Sequence, residues 1–289
     1  MKRIWLQKIA FLLFSSLVCF ATPYAVQAQV KPPAFEIGQK FQAEGLNFPA
    51  NTYIVDVQQG DVTGDAANDT VLLVGQKENP NDTRYSQLNV VVRDGKTGKF
   101  SALNDQQTKG YLSGYEPKLF LGDFIGDKLK DTMVTVATGG SGGVYSHLIA
   151  TWKNNKPAVI FGEKENQGVK IKGKFLDGFK AELTSETLQK TFIVDVSAFK
   201  KSYVEGKIYS PSGKYIYQDS SEYQIFSDPF SSLIPVDNDN DGVYELAGEQ
   251  YVWGPAHIYG VTDVDSIWKY QRGKWVPIDV KYIVTLLLQ

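Results

Sequence analysis

The stretch DVTGDAAND, from Asp61 to Asp69, carries the pattern that organises this chain, and the apolar run TVLLVG follows it directly. Two further stretches share its acidic spacing: DFIGDKLKD from Asp123 to Asp131 and DNDNDGVYE from Asp237 to Glu245. Each has a carboxylate at positions one, five and nine. Loops with oxygen ligands on alternate residues suit Ca2+, which takes six to eight oxygens from carboxylates, carbonyls and water. The spacing therefore predicts calcium loops that lead into β-strands.

The three loops differ in the number of ligands that they offer. The predicted ligands are Asp237, Asp239, Asp241, Val243 and Glu245 in the last loop, Asp61, Thr63, Asp65, Ala67 and Asp69 in the first, and Asp123, Asp127, Leu129 and Asp131 in the second, with the residue at position seven contributing its carbonyl. Ile125 at position three makes the second loop the weakest. An EF-hand needs a glutamate at position twelve, where the last loop has Gly248, so that motif is rejected. The alternative is that the acids only form hydrogen-bonded turns.

The acidic loops also mark a repeat. A hairpin pattern follows each of them about thirty residues after its first aspartate, as NVVVRDGKTGKFSAL, HLIATWKNNKPAVIF and SIWKYQRGKWVPI. A degenerate copy begins near Asp177, without metal ligands, so the copies recur roughly every sixty residues. These features predict an all-β fold, a β-propeller-like array of about four to five repeats. The predicted boundaries are roughly 50–110, 111–165, 166–230 and 231–289.

The segments GDVTGDAANDTVLLV and GDFIGDKLKDTMVTV resemble the GDxxGDxxxD-strand signature of FG-GAP or VCBS repeats. The resemblance covers about a third of the chain, namely the loops and the strands after them. It implies β-propeller blades with calcium loops between strands, in a secreted or cell-surface protein. Ala66 and Lys128 depart from the glycine that is common at the sixth position of this signature.

The composition agrees with strands. Aromatic residues make up 13% of the chain, and glycine and proline separate short apolar runs such as KLFLGD and KTFIVDV. No long amphipathic helix is predicted, apart from a turn or two of helix within ETLQKTF and SAFKKSY. The terminal KYIVTLLLQ is too short to span a bilayer and is predicted to be a closing strand.

The first residues predict export. Lys2, Arg3 and Lys8 precede an apolar run, and Val26-Gln27-Ala28 is a small-residue cleavage pattern, so residues 1–28 are predicted to be a signal peptide. The remaining residues, 29–289, then form one repeat domain, secreted or at the cell surface, without a membrane span. This part has 27 basic and 32 acidic residues, a net charge of about −5, which argues against nucleic acid as a partner.

Enzyme motifs are weak. Gly139 to Gly143 match the G-x-S-x-G pattern, but the flanking sequence predicts strand to strand, whereas a nucleophile elbow joins a strand to a helix. The two histidines, His147 and His257, have no zinc-hydrolase spacing. Catalysis is therefore not expected, although a pair of acids brought together by the fold could still form a glycosidase site.

A candidate ligand site follows the last acidic loop, in YVWGPAHIYG. Tyr251, Trp253, His257 and Tyr259 could form an aromatic platform for a sugar ring, although core packing is the commoner use of such residues. The sequence thus predicts a non-catalytic, calcium-binding module for a protein or glycan of the cell surface. The alternatives are a glycan-active hydrolase or lyase on the same scaffold and a purely structural envelope or coat protein.

Overall fold

Antiparallel strands account for nearly all the regular structure, so the all-β prediction is confirmed. The computed structural model describes residues 35–217 and 221–283, and the predicted signal peptide and the end of the predicted closing strand lie outside these ranges. The strands are β1 (Thr52–Gly60), β2 (Asp69–Gln76), β3 (Arg84–Arg93), β4 (Phe100–Ala102), β5 (Gly114–Gly122), β6 (Asp131–Ala137), β7 (Tyr145–Thr151), β8 (Ala158–Phe161), β9 (Ile171–Leu176), β10 (Lys180–Ser185), β11 (Lys190–Asp195), β12 (Ile225–Ser227), β13 (Ser232–Val236), β14 (Glu245–Trp253), β15 (Gly260–Gln271) and β16 (Lys274–Ile283).

The first sheet joins two successive meanders. Strands β1 to β4 pair in chain order, and so do β5 to β8. A short pairing of β3 with β5, through Arg84 with Tyr115 and Tyr85 with Gly114, unites them into one sheet of eight strands. Two of the hairpins expected from the sequence, β3–β4 and β7–β8, are the outer pairs of these meanders.

The second sheet also contains eight strands. Its path runs β11, β10, β9, β12, β14, β15, β16, and β13 pairs with β14 beside this path. The short strand β12 connects the degenerate repeat to the last meander, because it pairs with β9 on one side and with β14 on the other. The third predicted hairpin is β15–β16, which has the most extensive register of the outer pairs.

Each acidic loop occupies the same place in its meander. The first connects β1 to β2, the second β5 to β6, and the last β13 to β14. The degenerate copy places Asp177 in the turn from β9 to β10, where its Oδ1 accepts a hydrogen bond from the Tyr215 amide at 2.8 Å. The three acidic loops and the shorter turn at Asp177 therefore each precede a strand that pairs with the strand before them.

Apolar runs in the first sheet are explained by burial on both faces. In β6, Met133 belongs to the core shared with the second sheet, whereas Val134 and Val136 belong to a core on the opposite face. In β2, Leu73 lies in that opposite core and Leu72 packs with Phe41 and other residues of the segment before β1. Strands that are covered on both sides lose the alternation of apolar and polar residues.

Helices are short in the described part of the chain. They are α1 (Asp105–Thr108) and α2 (Lys200–Glu205), with 3-10 turns at Lys153–Asn155, Glu165–Gln167 and Ser197–Phe199. Helix α2 lies in the region where the sequence allows a turn or two of helix, and it buries Tyr203. Among the described residues, no helix is long and apolar enough to cross a bilayer.

Candidate metal loops and an aromatic cluster

The three acidic loops lie side by side. The Lys130 amide, at position eight of the second loop, donates to the carbonyl of Asp61, at position one of the first loop, at 3.2 Å. The Tyr244 amide, at position eight of the last loop, donates in the same way to the carbonyl of Asp123 at 2.7 Å. The two contacts use the same loop positions, so the loops form a continuous row at one edge of the fold.

The last loop gathers its carboxylates. Asp237, Asp239 and Asp241 each offer an oxygen within 4.8 Å of the others, the one such acidic group among the residues that the structure describes. Hydrogen bonds within the loop fix its conformation: the backbone amides of Asp241 and Gly242 each donate to the Asp237 carboxylate at 3.1 Å. Gly242 has a φ of +84°, a conformation that favours glycine at this sixth position. The loop therefore presents oxygens to one point.

Glu245 lies beneath this loop, at the start of β14, with 2% of its side chain exposed. The Lys269 ammonium of the neighbouring strand β15 is 2.6 Å from Glu245 Oε1, 3.5 Å from Asp239 Oδ2 and 3.9 Å from Asp241 Oδ2. The adjacent Glu245 carboxylate raises the pKa of Lys269. A cationic side chain thus reaches three of the acids that the sequence predicts as calcium ligands. Sequence reasoning missed Lys269, which lies 24 residues beyond Glu245.

In the first loop the carboxylates accept hydrogen bonds from backbone amides of the same region. Asp61 accepts from Gly64 at 2.7 Å and from Ala66 at 2.9 Å. Asp69 is fully buried and accepts from the amides of residues 62, 63 and 95 at 2.9, 3.0 and 2.8 Å. The hydroxyl of Thr63 is buried and has no hydrogen-bond partner among the described residues. The structure does not gather Asp61, Asp65 and Asp69 into a cluster like that of the last loop.

The second loop has the same arrangement. Asp123 accepts from Gly126 and Lys128, both at 2.7 Å, and Asp127 forms an ion pair with Lys153 at 3.0 Å. Asp131 is buried. Burial, together with the nearby charges of Asp123 and Asp127, raises the pKa of Asp131 to about 7, against the lowering effect of a hydrogen bond from a backbone amide. These acids also lie outside the acidic cluster found at the last loop.

Position seven behaves alike in all three loops. The amides of Ala67, Leu129 and Val243 donate to the aspartate at position five of their own loop, at 2.8, 3.1 and 2.7 Å. Their main chains are therefore tied to the acids that the sequence singles out. Coordination through their carbonyls stays a prediction.

Two of the four predicted ligand residues contact one carboxylate, that of Asp228, and a third, Tyr251, packs against His257. Trp253 Nε1 donates to its Oδ1 at 2.8 Å, and His257 Nε2 lies 2.6 Å from its Oδ2. The His257 ring is 5.1 Å from the rings of both Trp253 and Tyr251. Tyr259 packs instead against Tyr203 of α2, at 6.2 Å between ring centroids. Asp228 has no distinctive sequence context, so pattern reasoning could not have found it.

The aromatic cluster and the last acidic loop lie at opposite ends of β14. This strand begins at Glu245 and ends at Trp253. Its nine residues extend over roughly 26 Å, at about 3.3 Å per residue. A cation held by Asp237 and its neighbours could therefore not also contact a ligand on Trp253.

The glycine-rich segment joins strand β6 to strand β7, as the sequence predicts, and Ser141 in it is exposed. His147 is buried in β7, with its Nδ1 at 3.0 Å from Thr135 Oγ1. Burial lowers the pKa of His147 to about 3, so the ring is neutral at physiological pH. The turn lacks the helix that a nucleophile elbow needs.

Comparison with known proteins places the chain in a family. Residues 169–283 match the family described as YybI C-terminal domain, a region that contains strands β9 to β16, the last acidic loop and the aromatic cluster. Over 222 residues the chain is 32% identical to the "Uncharacterized protein YybI" of Bacillus subtilis (strain 168), covering 76% of this chain and 81% of that protein. No solved structure matches. The chain therefore belongs to the YybI family.

Proposed function

We propose that this protein is an exported, non-catalytic calcium-binding module that presents a rigid β-sheet surface to a protein or glycan of the cell surface. The observation that carries the proposal is the last acidic loop. Asp237, Asp239 and Asp241 bring oxygens within 4.8 Å of one another, and the buried Glu245 lies below them. Hard oxygen ligands of this kind suit Ca2+.

Lys269 is the internal counter-ion of this site. Its ammonium neutralises Glu245 and approaches Asp239 and Asp241. A divalent cation among the same carboxylates would repel it, so calcium binding requires Lys269 to swing away from the loop. In the calcium-bound site, the single charge of the flexible Lys269 side chain is replaced by the double charge of a cation that several ligands hold in place.

Calcium would act by making the loops rigid. The last loop is hydrogen-bonded to the second, and the second to the first, so a cation that fixes the last loop restrains the whole row. The common position of the loops supports the reading of the four meanders as units of a propeller-like array related to FG-GAP or VCBS repeats. Strand β14 runs from the last loop to the aromatic residues Tyr251 and Trp253, so a fixed loop would also restrain the strand that carries them, and a pre-organised surface binds its partner at a smaller entropic cost.

The partner surface that we propose is the cluster of Tyr251, Trp253 and His257. Asp228 fixes two of these rings from below, and the His257 side chain is 37% exposed, so a sugar ring could reach the cluster. Tyr259 belongs with the packing around α2 rather than with this surface. Export, through the predicted signal peptide, would bring the protein to compartments where such glycans and calcium occur.

The test is calcium binding and thermal unfolding of residues 29–289. At a calcium concentration of about one hundred times Kd, binding adds about 2.7 kcal/mol to the free energy of unfolding, or roughly 5–10 °C in Tm. Asp241→Ala should abolish this rise. Asp82→Ala is the matched control, because Asp82 is another exposed turn aspartate, accepting the Asn79 amide at 2.8 Å. Equal Tm values in calcium and in EGTA for the unsubstituted protein would refute the calcium proposal.

A glycan-active hydrolase is the second candidate, and one observation favours it. Glu249 of β14 and Asp265 of β15 face each other in register and line the same surface depression, of 220 Å3. Opposed residues of this kind place two carboxylates a few ångströms apart. Hydrolysis of cell-wall or oligosaccharide substrates that is lost in both Glu249→Gln and Asp265→Asn would favour this candidate over a binding module.

A further inference from the structure

A cavity unrelated to the acidic loops lies between the tip of the β15–β16 hairpin and the segment that joins β8 to β9. We call it the lysine cavity, because Lys164, Lys170 and Lys274 line it. Its volume is 410 Å3, within the range of small-molecule sites. Its lining shares no residue with the last acidic loop or with the aromatic cluster.

The three lysines come from separate segments of the chain. Lys164 follows β8, Lys170 precedes β9 and Lys274 begins β16. All three are exposed, and none forms an ion pair with the residues that the structure describes. A lysine side chain has a long, flexible stem, so each exposed and unpaired ammonium can turn towards a ligand in the cavity. The fold thus brings three such cations to one cavity.

The charge of the lining is not balanced. One acid, Glu165, lines the same cavity, and its Oε2 accepts a hydrogen bond from the Gly162 amide at 3.1 Å. Three positive charges against one negative charge leave the lining with two positive charges in excess, although the whole chain has a formal net charge of −2. A concave surface with one sign of charge concentrates ligands of the opposite sign. The lining therefore favours a ligand with two negative charges.

A phosphate monoester has the matching charge. Such a group carries about −1.5 to −2 charges at pH 7 and offers three acceptor oxygens. Lysine binds phosphate as a point charge, whereas a carboxylate or a sulfate ester brings a single negative charge. The Thr187 hydroxyl accepts the Lys170 amide at 3.1 Å, which leaves its own proton for a phosphate oxygen.

Two buried tryptophans, Trp268 and Trp275, form the apolar part of the lining. Their indole N–H groups already have acceptors: Trp268 Nε1 donates to Ser266 Oγ at 2.8 Å and Trp275 Nε1 to the Ile160 carbonyl at 3.0 Å. They therefore offer a ligand carbon surface rather than hydrogen bonds. Aromatic side chains of this kind pack well against a ring, such as the apolar face of a sugar.

We propose that the lysine cavity binds a sugar phosphate, with the phosphate monoester among Lys164, Lys170 and Lys274 and the sugar ring against Trp268 and Trp275. The cavity is large enough for one such ring with its phosphate. This binding activity goes beyond the proposed function. It does not depend on calcium, because the lining contains none of the proposed calcium ligands.

The test is calorimetric titration of residues 29–289 in EGTA with three probes: glucose 6-phosphate, glucose 6-sulfate and inorganic phosphate. The sulfate ester keeps the ring and has one negative charge fewer, whereas inorganic phosphate keeps the charge and lacks the ring. We expect glucose 6-phosphate to bind about five- to tenfold more tightly than either of the other two probes. In NMR spectra it should shift the indole N–H signals of Trp268 and Trp275 and leave those of Trp152 and Trp253 in place.

Lysine variants locate the phosphate. Lys164→Gln, Lys170→Gln and Lys274→Gln should each weaken glucose 6-phosphate binding about three- to tenfold, and the exposure of all three residues makes loss of folding an unlikely cause. Lys96→Gln is the matched control, because Lys96 is an exposed lysine without an ion pair in the turn between β3 and β4, and it should leave the affinity within about twofold.

Four results would overturn the proposal. They are equal affinities for glucose 6-phosphate and glucose 6-sulfate, equal affinities for glucose 6-phosphate and inorganic phosphate, a loss of affinity in Lys96→Gln as large as in the cavity variants, and no binding of glucose 6-phosphate at up to about 10 mM.

Discussion

Replacement of Lys269 by methionine tests the link between the internal cation and calcium. The ammonium is 2.6 Å from Glu245 Oε1 and lies within 4 Å of Asp239 and Asp241. Methionine keeps much of the apolar stem of the side chain and removes the charge. Without calcium, the variant has a buried carboxylate that retains only a 3.3 Å hydrogen bond from the Asn238 amide.

The two expected effects have opposite signs. In EGTA the free energy of unfolding should fall by about 2 kcal/mol, less than for a fully buried pair because a quarter of the Lys269 side chain is exposed. For a domain of this size that is roughly 4–8 °C in Tm. Calcium should bind more tightly, since a unit charge about 4 Å from a divalent ion costs about 2 kcal/mol even at the dielectric constant of water. That energy corresponds to about 30-fold in Kd.

Isothermal titration with CaCl2 and thermal unfolding in EGTA or calcium measure both effects on the same preparations. Lys281→Met is the control, because Lys281 forms an exposed ion pair with Asp279 at 2.6 Å on the next strand. It should change neither the calcium Kd nor Tm appreciably. Calcium affinity that is unchanged or weaker in Lys269→Met, while the unsubstituted protein binds calcium, would refute the competition between lysine and cation.

Three further predictions concern folding. Burial lowers the pKa of His147 in the folded protein to about 3, whereas the unfolded value is near 6.5. Between these pH values the unfolded chain binds one proton more than the folded protein. The free energy of unfolding therefore falls as pH falls through this window, by up to about 1.4 kcal/mol per pH unit. His147→Phe should flatten that part of the Tm profile, and a loss of the slope in His257→Gln instead would contradict the assignment. In Gly95→Ala the new Cβ would lie 2.1 Å from the carbonyl oxygen of Asn68. We expect the free energy of unfolding, measured in urea, to fall by about 1–3 kcal/mol. An unchanged urea midpoint would mean that the turn moves to relieve the clash. Leu73→Ala, at a fully buried core position, should cost about 2–5 kcal/mol in the same measurement, and a loss below 1 kcal/mol would contradict its place in the core.

Local patterns were sufficient for much of the fold. Alternating or apolar runs and turn residues predicted strands and three hairpins, and the structure contains all three. They could not predict that β12 joins β9 to β14, or that β3 pairs with β5, because such pairings depend on contacts between distant segments. The degenerate repeat was located by Asp177, and the strand-like run KTFIVDV forms β11 there.

For the candidate sites, the sequence by itself determined which loops carry acids and where each loop stands in its meander, since the spacing of aspartates and the strand that follows are both local. Only the tertiary structure decided that the acids of the last loop converge, that Lys269 reaches them from β15, and that Asp228 holds Trp253 and His257. The physical reason is that a carboxylate is satisfied by whichever donor the fold brings near it. In the first two loops those donors are mainly backbone amides; in the last a lysine from the neighbouring strand joins them.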